Sequence, residues 1–245
     1  MEKIRIDDFL ISHDIDVSLI NLGDFDYIGE YTAKKMRDQK SQQWKSHGAF
    51  FRPAYERGIL IHELIRRYKI QSYIEIGYGR GYSAICAAKA LCEIGADGHV
   101  ITIDPQFDEN NAKLISQVFP REWIERIQFA KGTSQELLPK IPSEHKFDFV
   151  YIDGDHRAEA TQTDWDLLKD KWDVFCLFDD YHLPTKKEAD IECSQVIDKI
   201  EVPGVQKQLI ILDRRMFNDD RGMTDDKIDY GQVLLTRTEK ISDRW

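Results

Sequence analysis

The sequence has few cysteines, and none of them form the C-x-x-C pair that zinc and redox sites use. The four present, Cys86, Cys92, Cys176 and Cys193, lie in or beside apolar runs, where cysteine usually behaves as a small buried hydrophobe. We therefore expect reduced thiols, no structural zinc, and a cytoplasmic protein.

Long apolar runs and an excess of basic residues are also missing. No stretch approaches the roughly 20 apolar residues of a membrane span, and the charges in MEKIRIDDFLISHDID at residues 1–16 do not fit a signal peptide. Lysine and arginine total 34 against 44 acidic residues, which gives a formal net charge of -10. We therefore expect neither a nucleic-acid nor a membrane partner.

The length and composition of the chain indicate one sizeable domain. The chain has 245 residues, of which 42% are hydrophobic, and this is enough for a continuous core. Residues 1–54 are mostly polar, so we assign them to an N-terminal extension or lid and residues 55–245 to the domain. In RPAYERGILIHELIRRYKI the apolar positions recur at helical spacing, which predicts a helix before the first strand of the domain.

Apolar strand candidates alternate with helix-compatible segments through most of the domain. The candidates are SYIEIG, HVITID, IQFAKG, FDFVYID and DVFCLFDD, followed by VQKQLIILDRR and GQVLLTRT near the C-terminus. Strands that are apolar on both faces and separated by helices indicate a parallel sheet covered on both sides. The predicted fold is therefore an α/β, Rossmann-like three-layer sandwich with a mostly parallel seven-stranded sheet, closed by a C-terminal antiparallel hairpin.

Polar residues end all five of the parallel strand candidates. They are Glu75, Asp104, the run Thr133 to Gln135, the pair Asp153 and Asp155, and the pair Asp179 and Asp180. Each could be a satisfied turn or helix cap when taken alone. In a parallel sheet, however, ligands bind beyond the carboxyl ends of the strands, so the five together indicate a binding site.

The first strand candidate runs into EIGYGRGYS, with glycines at positions 77, 79 and 81. Glycines at a strand-to-helix turn let backbone amides approach a ligand closely. Asp104 ends the next strand and could accept hydrogen bonds from both ribose hydroxyls. The spacing G-x-G-x-G after an acid differs from the dinucleotide fingerprint G-x-G-x-x-G and is typical of S-adenosylmethionine binding.

These motifs resemble a known enzyme family. EIGYGRGYSAI, ITIDP, GTSQE, YIDGDH and LFDD, in this order, are similar to the metal-dependent O-methyltransferases of the class I S-adenosylmethionine fold, the group of catechol O-methyltransferase. IDGD and DDY also resemble the macrocin-type sugar O-methyltransferases. The resemblance covers about residues 55–182.

The resemblance implies a cofactor site and a metal site. Around the methionine part of S-adenosylmethionine it places Glu75, Gly77, Tyr78, Gly79, Gly81 and Ser83. It places Asp104 at the ribose, Ser134 and Gln135 at the adenine, and Asp153 between cofactor and metal. The implied ligands of Mg²⁺, or of Mn²⁺ or Ca²⁺, are Asp153, Asp179 and Asp180.

Charge repulsion supports a cation at these aspartates independently of the resemblance. Neighbouring carboxylates repel one another unless a cation, a proton or a basic side chain compensates them, and an all-oxygen set favours hard divalent cations. The alternative is that Asp179 and Asp180 cap the next segment while Lys186 and Lys187 neutralise them.

Two side chains compete for the role of catalytic base. His156 lies three residues after Asp153, where the catechol-type enzymes carry a lysine, and histidine titrates near neutral pH without special burial. The macrocin-type pattern instead suggests a carboxylate of the pair Asp153 and Asp155. His156 could also simply cap the helix that follows, and His182 is a weaker candidate for a metal or substrate contact.

The sequence therefore predicts a metal-assisted O-methyltransferase that acts on a hydroxyl of a small molecule, with a homodimer left open. The alternatives are a metal-independent methyltransferase and a non-catalytic, cofactor-binding regulatory protein. A Rossmann-type oxidoreductase is disfavoured by the glycine spacing.

Overall fold

The computed structural model describes residues 1–25, 27–29, 55–182, 191–212, 230–242 and 244. Within these ranges the side chains at positions 55, 111, 114, 182 and 230 are not described. Among the residues named above, Lys186 and Lys187 and the side chain of His182 therefore lie outside the described part.

Strands and helices alternate through most of the chain. The strands are β1 (Glu2–Arg5), β2 (Ser72–Ile76), β3 (His99–Asp104), β4 (Ile127–Lys131), β5 (Phe147–Ile152), β6 (Trp172–His182), β7 (Val205–Ile211) and β8 (Tyr230–Arg237). The helices are α1 (Ile6–Ser12), α2 (Tyr55–Tyr68), α3 (Tyr82–Glu93), α4 (Glu109–Ile115), α5 (Arg121–Ile124), α6 (Ser134–Leu137), α7 (Ala158–Leu168), α8 (Cys193–Ile197) and α9 (Thr238–Ser242). Each of the seven strand candidates in the sequence corresponds to one of β2 to β8.

The described strands form one sheet of eight in the order β1-β7-β8-β6-β5-β2-β3-β4. Neighbouring strands are parallel except at β8, which runs antiparallel to both β6 and β7. The predicted mostly parallel Rossmann-like sheet is confirmed, but it has eight strands rather than seven. The two C-terminal strands pair antiparallel as expected, although β8 inserts between β6 and β7 instead of lying at the edge.

The additional strand comes from the segment that the sequence suggested was an irregular extension. β1 pairs in parallel with β7 at one edge of the sheet, and α1 buries Ile6, Phe9 and Leu10 in the core. Later in the same N-terminal segment, Asp24 Oδ2 forms an ion pair with Lys89 Nζ of α3 at 3.2 Å. A strand of four residues with exposed charges is typical of a sheet edge and is too short to give a clear sequence pattern.

Two apolar layers cover the sheet, as the prediction of a three-layer sandwich requires. One layer packs α1, α2 and α3 against side chains such as Tyr73, Phe149 and Phe175. The other packs α7 and α8 against Ile74, Val150 and their neighbours on the opposite face. The four cysteines are free thiols, and no helix in the described ranges has both the length and the apolar character needed to cross a membrane.

The strand register brings the carboxyl ends of the central strands level with one another. Ile76 at the end of β2 pairs with Ile103 of β3 and with Ile152 of β5. Ile152 in turn pairs with Phe178 of β6. The residues that follow these positions therefore meet at one edge of the sheet, above its centre.

Backbone contact between the turns after β2 and β5 is unusually close. The Gly77 amide donates to the Ile103 carbonyl, and the Asp153 amide donates to the Ile76 carbonyl, each at 2.9 Å. Gly77 has φ of 93°, and a Cβ on it would lie 2.0 Å from the Asp153 carbonyl oxygen. Only glycine fits this position without moving the backbone that carries Asp153.

We expect Gly77→Ala to lower the free energy of unfolding by more than about 3 kcal/mol, because it combines a left-handed φ with a backbone clash. Gly79→Ala is the matched control, since Gly79 has φ of 49° but an added Cβ meets no atom within 4 Å. It should cost only about 1 kcal/mol. Urea unfolding followed by circular dichroism measures both changes, and equal losses would contradict the close approach at Gly77.

Candidate active site

The glycine turn between β2 and α3 is tied to the end of β3 through Asp104. Asp104 Oδ2 accepts hydrogen bonds from the backbone amides of Tyr78 at 3.0 Å and Gly79 at 3.1 Å. Oδ1 accepts from the Gln106 amide at 2.6 Å. The carboxylate predicted to hold ribose hydroxyls therefore also sets the shape of the turn beside it.

The Tyr78 side chain turns away from the strand ends. Its ring lies 5.6 Å from the ring of Phe107 and 5.3 Å from that of Phe129, measured between centroids. A Cβ on Gly81 would lie 2.5 Å from the Tyr78 ring. The structure thus brings the Tyr78 backbone to the turn and packs its ring in an aromatic cluster beneath it.

Glu75 is a fully buried carboxyl group just before the glycine turn. Its Oε2 accepts from Ser83 Oγ at 2.8 Å and from the Tyr73 hydroxyl at 3.0 Å. Burial raises the pKa of Glu75 to about 7, and the hydrogen bonds from Ser83 and Tyr73 oppose that rise. Glu75 and Ser83, predicted together at the methionine part of the cofactor, are in direct contact.

The residues predicted at the adenine begin the short helix α6. Thr133 caps this helix by accepting from the Glu136 amide. The Ser134 hydroxyl is buried and donates to Asp164 Oδ1 of α7, whereas Gln135 is exposed. Burial raises the pKa of Asp164 to about 6.

A bulge in β6 brings the two consecutive aspartates to the same side. Between Phe178 and Tyr181 the pairing advances three residues on β6 but only two on β8, and Asp180 has φ of 49°. In a regular strand, neighbouring side chains point to opposite faces. Here the extra residue and the left-handed backbone let Asp179 and Asp180 contact one common partner.

That partner is Arg57, near the start of α2. Its NH1 lies 2.7 Å from Asp179 Oδ2, and its NH2 lies 2.8 Å from Asp180 Oδ1. Burial alone would lower the pKa of Arg57, but the charges of Asp179 and Asp180 raise it, so the guanidinium stays charged. Asp179 is buried, and its Oδ1 also accepts from Gln232 Nε2 of β8 at 3.2 Å.

Asp153, His156 and Asp180 form a second cluster on the solvent side of this ion pair. Asp180 Oδ2 lies 3.2 Å from His156 Nε2, and one donor atom from each of the three residues lies within 4.8 Å of the other two. The Tyr151 hydroxyl donates to Asp153 Oδ2 at 3.3 Å. Burial and the neighbouring charge of Asp179 raise the pKa of Asp153 well above its ordinary value.

The donor set of this cluster fits a hard divalent cation. Mg²⁺ binds oxygen ligands at about 2.0–2.1 Å, so opposite ligands lie about 4.2 Å apart and adjacent ones about 3 Å apart. Asp153 and Asp180 supply two such carboxylate groups, and the 3.2 Å between His156 Nε2 and Asp180 Oδ2 is the distance of a hydrogen-bonded pair beside them. Of the three predicted metal ligands, Asp153 and Asp180 meet in this cluster, whereas Asp179 is engaged by Arg57 and Gln232.

Asp155 points away from this cluster. Its carboxylate accepts from Arg157 Nε at 3.0 and 2.9 Å and from the Arg157 amide at 3.0 Å. The Arg157 side chain lowers the pKa of Asp155. The two rival candidates for the catalytic base therefore differ in position, since His156 faces the aspartates and Asp155 faces solvent.

Arg57 and Gln232 are the site residues that sequence reasoning missed. Arg57 lies in an amphipathic helix, where an arginine ordinarily indicates a solvated face. Gln232 lies in an apolar strand far along the chain, and its contacts depend on the insertion of β8 beside β6. In the sequence, Gln232 stands out only as a polar residue inside an apolar strand. Its complete burial, at 0% exposure, is visible only in the structure.

Comparisons with known proteins agree with this geometry. Residues 74–181 match a family model described as a methyltransferase domain. The match spans β2 to β6, which carry all the predicted site residues, and it confirms the predicted enzyme class.

A curated relative is similar over about half of its length, and solved structures share the fold. Tricin synthase 1 of Oryza sativa subsp. japonica is 27% identical over 128 residues, and the match spans 49% of this chain and 49% of that protein. The O-methyltransferase TomG of Streptomyces achromogenes, solved with S-adenosylmethionine, is 18% identical over 86% of this chain and 88% of its own, with a TM-score of 0.57. The O-methyltransferase of Bacillus cereus, solved with SAH, is 15% identical over 86% and 90% of the two chains, also with a TM-score of 0.57.

The glycine turn has room and hydrogen-bond acceptors for S-adenosylmethionine. A Cβ on Gly79 would meet no atom within 4 Å, so the space above this glycine is open. Glu75 Oε1 is buried without a hydrogen-bond partner among the described residues. An open turn flanked by carboxylates suits a ligand that carries an ammonium group and ribose hydroxyls.

We expect Glu75→Gln to reduce the pH dependence of stability. The folded pKa of about 7 lies above the ordinary value of 4.5, so between these values the folded protein holds a proton that the unfolded chain has released. The free energy of unfolding of the wild type therefore falls as pH rises from about 4.5 to about 7, by up to about 3 kcal/mol.

Glutamine does not titrate, so the variant should lose most of this fall. Asp153, Asp164 and Asp179 add further falls in both proteins, because their raised pKa values act in the same direction, so the difference between the two proteins reports Glu75. Urea unfolding of the cofactor-free proteins at pH 5 and pH 8 measures the difference. An identical fall in wild type and variant would contradict the assignment to Glu75.

Proposed function

We propose that the chain is an S-adenosylmethionine-dependent O-methyltransferase that methylates a hydroxyl of a small molecule with the help of a divalent cation. The observation that carries the proposal is the cluster of Asp153, His156 and Asp180 at the strand edge that also bears the glycine turn. The two solved O-methyltransferases that share this fold support oxygen as the acceptor atom.

The cofactor half of the site uses the turn after β2 and the end of β3. When bound, S-adenosylmethionine supplies a methyl group on a positively charged sulfonium. The backbone around Gly79 would lie against the ligand, Asp104 would accept from its ribose, and Ser134 and Gln135 would lie at its base. Glu75, with a pKa of about 7, holds negative charge above neutral pH near the ammonium group.

The acceptor half of the site uses the ends of β5 and β6. Asp153 and Asp180 would hold a divalent cation, whose positive charge would lower the pKa of a nearby hydroxyl. Mg²⁺ commonly uses one or two protein carboxylates and leaves the rest of its shell to water and substrate. Asp179 supports Asp180 indirectly, because both contact Arg57.

His156 is the better candidate for the base that removes the hydroxyl proton. Asp180 Oδ2 lies 3.2 Å from His156 Nε2, so this carboxylate can accept the Nε2 proton, leave Nδ1 free to take another, and stabilise the imidazolium that results. Asp155 is a poor base because Arg157 neutralises it and lowers its pKa.

We also propose that the acceptor is a small hydroxylated molecule and that the protein is cytoplasmic. We further propose that it binds neither nucleic acid nor membranes and that it forms a homodimer.

We expect the purified protein to bind S-adenosylmethionine in calorimetric titrations and not to bind NAD. Asp104→Ala should weaken the binding at least tenfold, because it removes a ribose acceptor and releases the amides of Tyr78 and Gly79. Asp97→Ala is the control, since Asp97 is exposed before β3 at the opposite edge of the sheet. Failure of the wild type to bind S-adenosylmethionine would refute the cofactor assignment.

We expect His156→Ala to lower the turnover rate by about 10²- to 10⁴-fold, the usual range for a lost general base. The dissociation constants for S-adenosylmethionine and for Mn²⁺ should stay within about threefold, because the base touches neither ligand. His99→Ala, an exposed histidine at the far end of β3, serves as the control. A large loss of Mn²⁺ affinity would instead make His156 a metal ligand, and unchanged turnover would remove it from the mechanism.

A metal-independent methyltransferase is the second candidate, and Arg57 is the observation that favours it. The guanidinium already compensates both Asp179 and Asp180, so part of the repulsion that calls for a cation is relieved within the protein. Turnover that survives exhaustive chelation would support this candidate over the first.

A further inference from the structure

Arg57 divides the three carboxylates of the site into two groups. Both oxygens of Asp179 are engaged, Oδ2 by Arg57 at 2.7 Å and Oδ1 by Gln232 at 3.2 Å. Asp180 instead bridges two partners, with Oδ1 on Arg57 at 2.8 Å and Oδ2 toward His156 at 3.2 Å. Asp180 thus keeps one oxygen on the His156 side of the site, whereas the two oxygens of Asp179 are held by Arg57 and Gln232.

The charges of the site lead to the same division. With a cation bound and all three carboxylates ionised, their charge of −3 would be reduced by Arg57 to −2, which one divalent cation would neutralise. Without Arg57, the same cation would face an additional carboxylate and one positive charge fewer. Both changes favour tighter binding of the cation.

We propose that Arg57 sets the cation affinity of the site by withholding Asp179, so that only the Asp153 and Asp180 side of the cluster is open to a divalent ion. The inference rests on the cation site of the proposed function. In this role Arg57 is a positioning residue: it keeps the cation weakly held beside His156 and fixes the carboxylate of Asp180 between guanidinium and imidazole.

Arginine suits this role through its shape as well as its charge. The planar fork reaches two carboxylates with two different nitrogens, one on each, whereas the ammonium of lysine is a single point charge. The β6 bulge is what places the two carboxylates within reach of one fork. Arg57→Lys should therefore release one of the two aspartates, and Arg57→Met should release both.

The test is a titration of the cofactor-free protein with Mn²⁺, followed by the electron paramagnetic resonance signal of the free ion. Arg57→Met should bind Mn²⁺ at least tenfold more tightly than the wild type, and Arg57→Lys at least threefold more tightly. Adding Asp179→Asn to Arg57→Met should bring the affinity back to within about threefold of the wild type, because the released carboxylate is then gone.

Arg66→Met is the matched control. Arg66 lies on the same helix and also pairs with two carboxylates, those of Glu63 and Glu93, away from the strand edge. Its loss should leave Mn²⁺ affinity unchanged. Circular dichroism of each variant shows whether it is folded, and Arg57→Lys, which keeps the charge, remains a test if Arg57→Met does not fold.

The outcomes separate this inference from the function on which it rests. If the wild type binds Mn²⁺ and neither Arg57 variant binds it more tightly, the role of Arg57 is overturned while the cation site stands. If no protein in the series binds Mn²⁺, the cation site itself is absent, and both proposals fail together.

Discussion

The ion pairs of Arg57 with Asp179 and Asp180 are the interaction on which the acceptor half of the site depends. Two carboxylates on consecutive residues would ordinarily lie on opposite faces of a strand. The bulge in β6 turns them to one side, and the buried guanidinium offsets the repulsion that results. Asp180 can then extend its second oxygen toward His156, so a backbone irregularity, a charge pair and a candidate base form one connected unit.

The cofactor half is organised by the backbone rather than by side-chain charge. Gly77 lets the turn after β2 lie directly against the end of β5, and Asp104 holds the amides that follow. The backbone carrying Asp153 is therefore shared between both halves. The two turns are joined by the hydrogen bond from the Asp153 amide to the Ile76 carbonyl and by the close approach at Gly77.

Much of this arrangement was predictable because it follows from local pattern. Apolar runs that end in Glu75, Asp104 and Asp153 predicted the parallel strands and the edge at which their ends meet. The strand β1 was not predictable, because four residues at a sheet edge are too few to show a clear alternation of apolar and polar side chains. Arg57 was missed for a different reason: its partners lie more than 120 residues away, and only the three-dimensional packing of α2 against the end of β6 brings them together.

The strand order also has a consequence for how the chain assembles. In the described sheet β7 and β1 are joined to the rest only through β8, the last strand in the sequence. The half formed by β6, β5, β2, β3 and β4 can pair before β8 exists, but Asp179 lacks its contact with Gln232 until β8 arrives. Long-range pairings of this kind form slowly, so the acidic pair reaches its final environment late in folding.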